Sequence, residues 1–201
     1  METTYVKKRG IGKYVVYVLL AAVAAGIAFY FYAPKPVNNA AIDSMNMFIQ
    51  NKITDIDQNL AQGNSKADIA TRLSWHKSNT ALYEEVKTSK DDKVKAQRAV
   101  LKTKMIQIQS REFPVLRTAY VESKKEVLGP QNIKIAVSGQ KKDILTFTGA
   151  IFQPEKTQKG FMKNIHEIIT DLRFKQVVYK WSDHVEDVAD YKIDSKTDDE
   201  I

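Results

Sequence analysis

The spacing of hydrophobic and polar positions along this chain changes twice. Residues 14–33 form an uncharged run of twenty residues, YVVYVLLAAVAAGIAFYFYA. From residue 37 to residue 128, apolar side chains recur every three or four positions, which is typical of amphipathic helices. Beyond residue 130, apolar and polar residues alternate, which indicates half-buried strands. The pattern therefore predicts an apolar segment, a helical region and a mixed α+β region.

Two amphipathic helices are predicted first in the helical region. One covers residues 37–62, and Gly63 stands where a C-terminal cap belongs. The next begins at Ser65-Lys66-Ala67-Asp68, whose spacing resembles a capping box. Because few residues join them, the two helices are expected to pack as antiparallel neighbours. The apolar stripe of the first helix consists of Ile42, Met45, Ile49, Ile53, Ile56 and Leu60.

A third helix is predicted to begin near Ser89 or Asp91, since either residue suits an N-cap. Pro114 lies inside its apolar pattern. Proline lacks the backbone N–H and clashes with the preceding turn, so the helix should end or kink near Phe113. A further helical stretch is predicted over residues 115–128.

The alternating part of the sequence predicts a small α+β module. Ile133–Val137 and Leu145–Gly149 have the pattern of strands, and the polar turn between them makes the pair a hairpin. Phe161–Leu172 has the spacing of a short amphipathic helix. Val177–Trp181 is predicted as a third strand, with its alternate aromatic residues in the core.

The net charge of +7 is unevenly distributed. Residues 183–201 contain eight acids and two lysines, so the rest of the chain is strongly basic. This acidic tail is expected to add an edge strand at Tyr191–Ile193 or to be disordered. A basic body suits anionic lipid head groups or an acidic partner. Nucleic acid is not expected as a partner, because the basic stretch Lys87–Lys104 lacks interleaved aromatic residues.

The uncharged run at residues 14–33 predicts a transmembrane helix. Its twenty residues rise about 1.5 Å each and span about 30 Å, the thickness of the hydrocarbon core. Tyrosines suit both interfaces, and the basic residues before the run place the N-terminus in the cytoplasm. The tyrosines are Tyr14, Tyr17, Tyr30 and Tyr32, and the basic residues are Lys7, Lys8, Arg9 and Lys13.

Two alternatives to this signal anchor stay open. One is a cleaved signal peptide, with Ala22-Val23-Ala24 as a small-residue cleavage site. The other is a helix buried in the core of a domain. The anchor is preferred because the apolar run is longer than export requires. It predicts a single-pass protein of a bacterial inner membrane, with residues 34–201 on the extracytoplasmic, periplasmic side.

The predicted fold class is accordingly α+β with a single N-terminal transmembrane helix. Residues 1–13 are the basic cytoplasmic N-terminus, and residues 14–33 are the membrane span. Residues 34–112 form a helical hairpin or stalk, and residues 113–182 form a small helix–β–β–α–β module. Residues 183–201 are the acidic tail.

The C-terminal module resembles a BON domain, a small helix-plus-ββαβ module of bacterial envelope proteins. The resemblance is carried by the strand Ile133–Val137, the strand Leu145-Thr146-Phe147-Thr148-Gly149 and the helix Phe161–Leu172. It departs from the family at Arg173-Phe174, where a Gly-Val pair commonly joins helix to strand. The resemblance implies an envelope location and binding of partners or membrane surfaces, and it transfers no binding residue.

The sequence contains little that indicates catalysis. It has no cysteine, which excludes disulfides, thiolate metal sites and cysteine nucleophiles. It lacks the serine-hydrolase, phosphate-loop, dinucleotide and EF-hand motifs. His76, His166 and His184 are not at ligand spacing. His76 lies on an apolar stripe, which favours a packing role. We therefore expect no catalytic residue, no metal and no cofactor.

These observations predict a membrane-anchored extracytoplasmic binding or scaffold protein without enzymatic activity. It would contact the bilayer through residues 14–33 and join one or more protein partners in an envelope or secretion assembly, with anionic lipid as a further contact. Two alternatives stay open. One is an enzyme without a recognisable motif, which a pocket bringing His76 or His166 against a carboxylate would favour. The other is a structural spacer subunit.

Overall fold

The computed structural model describes residues 39–62 and 68–201, and Ala40–Ile201 form one structural unit. Within these ranges the helices are α1 (Asn39–Gln62), α2 (Ile69–Val86), α3 (Asp92–Leu128) and α4 (Glu155–Asp171). The strands are β1 (Lys134–Ser138), β2 (Ile144–Thr148), β3 (Gln176–Lys180) and β4 (Val188–Lys192). Short 3-10 turns at Gly129–Gln131 and Ala150–Phe152 follow α3 and β2.

No helix within residues 39–62 and 68–201 is both long and apolar enough to cross a bilayer. Each of these helices carries charged side chains; α1, for example, has Lys52, Asp55 and Asp57 among its apolar residues. This finding contradicts the predicted transmembrane fold, and with it the signal anchor and the single-pass membrane localisation. The residues that the structure describes form an α+β fold with four helices and one four-stranded sheet. The run at residues 14–33 lies outside the described residues, together with Lys7, Lys8, Arg9, Lys13, Tyr14, Tyr17, Tyr30 and Tyr32.

The first three helices pack around one apolar cluster. Trp75 of α2 donates a hydrogen bond to Asp55 of α1. Arg72 of α2 donates one to Asn59 of α1. The numbers run in opposite directions, so α1 and α2 are antiparallel, as their short joint predicts. Asp68 caps α2 by accepting a hydrogen bond from the Thr71 N–H, three residues beyond the predicted cap at Ser65. The cluster contains Ile49, Ile53, Ile56, Val86, Val94, Leu101, Met105 and Ile108.

Helix α3 runs through Pro114 and ends at Leu128, so of the end or kink predicted near Phe113 the end is wrong. Its N-terminus is capped as expected, since Asp91 accepts hydrogen bonds from two backbone N–H groups of the first turn. A proline inside a helix costs about 3 kcal/mol. Phe113 and Tyr120, on either side of it, are buried against the sheet, and their burial offsets that cost. The predicted boundary between residues 112 and 113 falls inside α3.

The sheet has the order β1-β2-β3-β4. β1 and β2 form the predicted antiparallel hairpin, β2 and β3 are parallel across the α4 crossover, and β4 pairs antiparallel with β3. Gly139 has a φ of +86° in the hairpin turn, where an added Cβ would lie 2.6 Å from Asp143 Oδ1. One face of the sheet packs against α3 and α4. Its buried residues include Ile135, Leu145, Phe147, Val177 and Tyr179.

The acidic tail is ordered, with an edge strand at Val188–Lys192. After this strand the chain crosses from the sheet to the first helices. The Ser195 hydroxyl donates to the Phe174 carbonyl, Asp198 pairs with Arg117 of α3, and Ile201 packs against the cluster between α1, α2 and α3. The tail therefore connects the two hydrophobic clusters of the fold.

Candidate functional site

A cleft of about 740 Å³ opens between α2, α3 and α4, and we call it the apolar cleft. This volume lies within the range of about 300–1,000 Å³ typical of small-molecule sites. Helical spacing on three helices turns apolar side chains toward the same space. The main apolar residues lining it are Ile69, Leu73, Tyr120, Phe161, Ile165 and Ile168.

Charged side chains lie only at the edge of the apolar cleft. Lys77, Lys124 and Asp171 line it. Lys77 Nζ lies 2.7 Å from Asp171 Oδ2, and Lys124 Nζ lies 5.7 Å from the centre of the Tyr120 ring. One acid faces two lysines, so the edge carries a positive formal charge. An apolar interior with a cationic edge suits a ligand that has an apolar body and an anionic group.

A second cavity of about 460 Å³ lies next to the cleft, and we call it the histidine cavity. His76 and Phe113 line it, and their rings lie 5.0 Å apart between centroids. Arg173 also lines it and places its guanidinium 4.5 Å above the Phe113 ring. The charged residues lining the cavity are Lys77, Asp171, Arg173, Asp194 and Lys196.

Three buried side chains behind the histidine cavity form one ionic network. The guanidinium of Arg72 bonds to both carboxylate oxygens of Glu112, with Nη2 lying 2.5 Å from Oε1. His76 Nε2 lies 2.9 Å from Glu112 Oε2. Arg72 Nη1 also donates to Asn59 Oδ1 at 3.0 Å, which ties α1 to the network. The side chains of Arg72, His76 and Glu112 are 8%, 4% and 4% exposed, so water contributes little to their solvation.

Burial and hydrogen bonding set the protonation of this network. Burial lowers the pKa of His76 and outweighs the opposing hydrogen bond to Glu112, so the ring is held neutral. Burial acts to raise the pKa of Glu112, but the hydrogen bonds from His76 and Arg72 outweigh it and keep this pKa below its usual value. A neutral His76 therefore donates Nε2–H to an ionised Glu112. Its Nδ1 is left as an acceptor that bonds to none of the residues in the described ranges.

We expect acid to destabilise the fold through both groups. The unfolded chain binds more protons than the folded one, because the folded pKa values of His76 and Glu112 are lowered, so stability rises with pH. The His76 contribution is complete above the unfolded histidine pKa of about 6.5 and is lost as the pH falls below it. The denaturant midpoint of the full-length chain should therefore fall as the pH is lowered from about 8 to about 5.

The matched variants for this pH dependence are His76→Gln and His166→Gln. His166 is exposed on α4, so its replacement should leave the pH dependence of the midpoint unchanged. His76→Gln should flatten the part of the curve from about pH 6.5 downward, where the unfolded histidine is protonated and the folded one is not. A wild-type midpoint that is constant over this range would contradict the assignment.

Of the three histidines considered in the sequence, the structure places one in the histidine cavity and the other two elsewhere. His76 meets Glu112, whereas His166 and His184 are exposed. Arg72, Glu112 and Arg173 are not predicted as site residues: Arg72 and Glu112 lie on helices, where charged side chains are usually solvated, and Arg173 lies in the turn after α4. The one available signal was that Arg72 and Glu112 both fall among apolar positions at helical spacing. In residues 39–62 and 68–201 no group of three potential ligands is arranged to hold a metal ion.

Comparison with known proteins identifies no significant match to this chain. No protein-family profile matches this chain, and neither a curated protein nor a solved structure shows significant similarity to it. The resemblance of the C-terminal module to BON domains therefore stays a prediction.

Proposed function

We propose that this chain is a non-catalytic binding protein whose apolar cleft holds a single-chain amphiphile with an anionic group. The observation that carries the proposal is the cleft of about 740 Å³, with apolar walls from three helices and lysines at its edge. Apolar surface that is left open to water is unfavourable in the free protein. A ligand that covers it gains hydrophobic stabilisation without requiring new buried polar partners.

Charge complementarity selects the anionic class. The basic edge formed by Lys77 and Lys124 favours an anion over a neutral or cationic amphiphile. Lys77 already has Asp171 as a partner, but its side chain is 60% exposed, so this ion pair is screened by water and contributes little. Lys77 therefore separates from Asp171 at small cost when a ligand anion approaches the edge of the cleft.

An enzyme is the second candidate, and one observation favours it. His76 is oriented by a buried carboxylate in a cavity wall, which is the arrangement of a general base. A base alone does not define a reaction, however. No hydroxyl side chain in residues 39–62 or 68–201 bonds to His76, so no nucleophile is paired with it there. Binding needs only the apolar cleft and its basic edge, whereas catalysis would also need a nucleophile paired with His76. The geometry therefore favours binding.

The test of the proposed function is a fluorescence titration of the full-length chain with dansylaminoundecanoic acid, a long-chain carboxylate probe. We expect saturable one-site binding, with emission shifted to the blue as the probe enters an apolar environment. Ala70 is exposed on α2 and lines the cleft, so Ala70→Trp should fill the site without disturbing the core. We expect this variant to weaken binding about tenfold or more, which corresponds to about 1.4 kcal/mol.

Ala96→Trp provides the matched control, because Ala96 is also exposed, lies on α3 and lines no part of the cleft. It should bind the probe like the wild type. Equal affinities in the two tryptophan variants, or the absence of saturation, would overturn the proposal. Displacement of the probe by an acidic amphipathic peptide but not by unlabelled decanoate would assign the cleft to a helical partner instead.

A further inference from the structure

The apolar cleft and the histidine cavity share a wall. Leu73, Lys77 and Asp171 line both spaces. The polar part of this wall is the ion pair between Lys77 on α2 and Asp171 at the end of α4, which are 60% and 23% exposed. Water screens such a pair, so it opens at little cost. A chain lying in the cleft therefore has a short route into the histidine cavity.

The histidine cavity holds one polar atom that is prepared for a ligand. His76 is buried and lines the cavity, and its Nε2 is committed to Glu112, which Arg72 holds in place. The Nδ1 atom bonds to no residue within the part of the chain that the structure describes. Nδ1 does not belong to the buried polar atoms that lack a partner, so it is open to the cavity, where a ligand that brings a proton can reach it.

We propose that the ligand is a long-chain carboxylate whose head group passes Lys77 and Asp171 and binds His76, which takes up one proton as the complex forms. The inference rests on the proposed function and names the head-group site. The proton comes from solvent and binds to Nδ1, so imidazole and carboxylate become an imidazolium–carboxylate pair. No covalent bond forms or breaks in the ligand.

The charges around His76 support a protonated ring only when the carboxylate is present. Glu112 on α3 favours the proton, whereas Arg72 on α2 and Arg173 after α4 oppose it. Of the remaining charged groups lining the cavity, Lys77 and Lys196 balance Asp171 and Asp194. A ligand carboxylate adds the second negative charge that outweighs the two arginines and the loss of hydration.

The Nη1 atom of Arg173 is a poor receptor for the head group. It already donates to the carbonyls of Thr197 and Glu200, at 2.6 Å and 2.9 Å, and lies 3.3 Å from Gln109 Oε1. Binding of a carboxylate to Nη1 would compete with the bonds that hold the C-terminal tail. His76 Nδ1 requires no such exchange.

Isothermal titration of the full-length chain with decanoate and decanol tests the inference. Both ligands should bind, because both offer the apolar chain. Decanoate should take up close to one proton, read from the dependence of the binding heat on buffer ionisation. Its affinity should rise toward about tenfold for each unit of pH decrease near neutrality, whereas decanol affinity should be independent of pH.

His76→Gln should abolish the proton uptake and the pH dependence while retaining decanol binding, and exposed His166→Gln should change neither. If His76→Gln does not fold, the ring nitrogen resonances of His76 in the wild type decide the question. Decanoate should protonate Nδ1, and decanol should leave the ring neutral. Binding of both ligands without proton uptake would overturn the inference alone. Failure of both to bind would overturn the proposed function as well.

Discussion

Replacing Asp198 by asparagine should destabilise the fold by about 3 kcal/mol, because it leaves a buried guanidinium without its counter-charge. Arg117 and Asp198 are 1% and 2% exposed and form a bidentate pair, with nitrogen–oxygen distances of 2.6 Å and 3.0 Å. Arg117 also donates to the carbonyls of Lys141, Leu172 and Arg173. These three acceptors remain in the variant, so the loss should fall near the lower end of the range for broken buried pairs.

The neighbouring residue provides the control for this prediction. Asp199 lies 3.9 Å from Lys141 with its side chain 64% exposed, so Asp199→Asn should leave the urea midpoint of the full-length chain unchanged. The two variants remove the same charge one residue apart. Equal midpoints for both would show that the Arg117–Asp198 pair does not hold the tail against α3.

The local structure of this chain follows from local signals. The apolar stripe of residues 37–62 predicts α1, Asp91 marks the start of α3, and the alternation after residue 130 predicts the hairpin and the third strand. Each of these elements is stabilised by its own hydrophobic pattern and by capping or turn residues next to it. The residues that determine these elements lie within or next to them in the sequence.

Tertiary contacts override the same signals at two places. Proline at position 114 predicts a helix end, but burial of Phe113 and Tyr120 on the sheet keeps α3 continuous. The acidity of the tail leaves disorder open beside an edge strand, but Arg117 and Arg173 bind the tail and Ile201 enters the core. Both features depend on contacts with residues that are distant in sequence, so hydrophobic periodicity alone does not predict them.

The candidate site is predictable only in part for a similar reason. His76 draws notice in the sequence because it lies on an apolar stripe beside Trp75. Its partner Glu112 is 36 residues away on another helix, and Arg72 is 40 residues from Glu112. The packing of α2 against α3 brings them together. From the sequence alone, a carboxylate among lysines and arginines on a long helix is predicted to be exposed to solvent.

Replacing Glu112 by glutamine should cost about 3–5 kcal/mol, because it leaves Arg72 buried without a counter-charge. The glutamine oxygen still accepts one hydrogen bond, but it does not replace a carboxylate that Arg72 and His76 share. The denaturant midpoint of the full-length chain at neutral pH measures the loss. Glu122→Gln is the control, since Glu122 lies on the same helix with its side chain 59% exposed and should change stability by less than about 0.5 kcal/mol.

Two further measurements separate the lost charge from a general packing defect. The wild type and Glu112→Gln should converge in stability as the pH falls through the carboxylate range, because protonation removes the same charge from the wild type. A double variant, Arg72→Met with Glu112→Leu, should lose less stability than the sum of the two single variants, since it leaves neither charge buried alone. If the two substitutions add and the pH curves stay parallel, Glu112 contributes through volume and not through its ion pair.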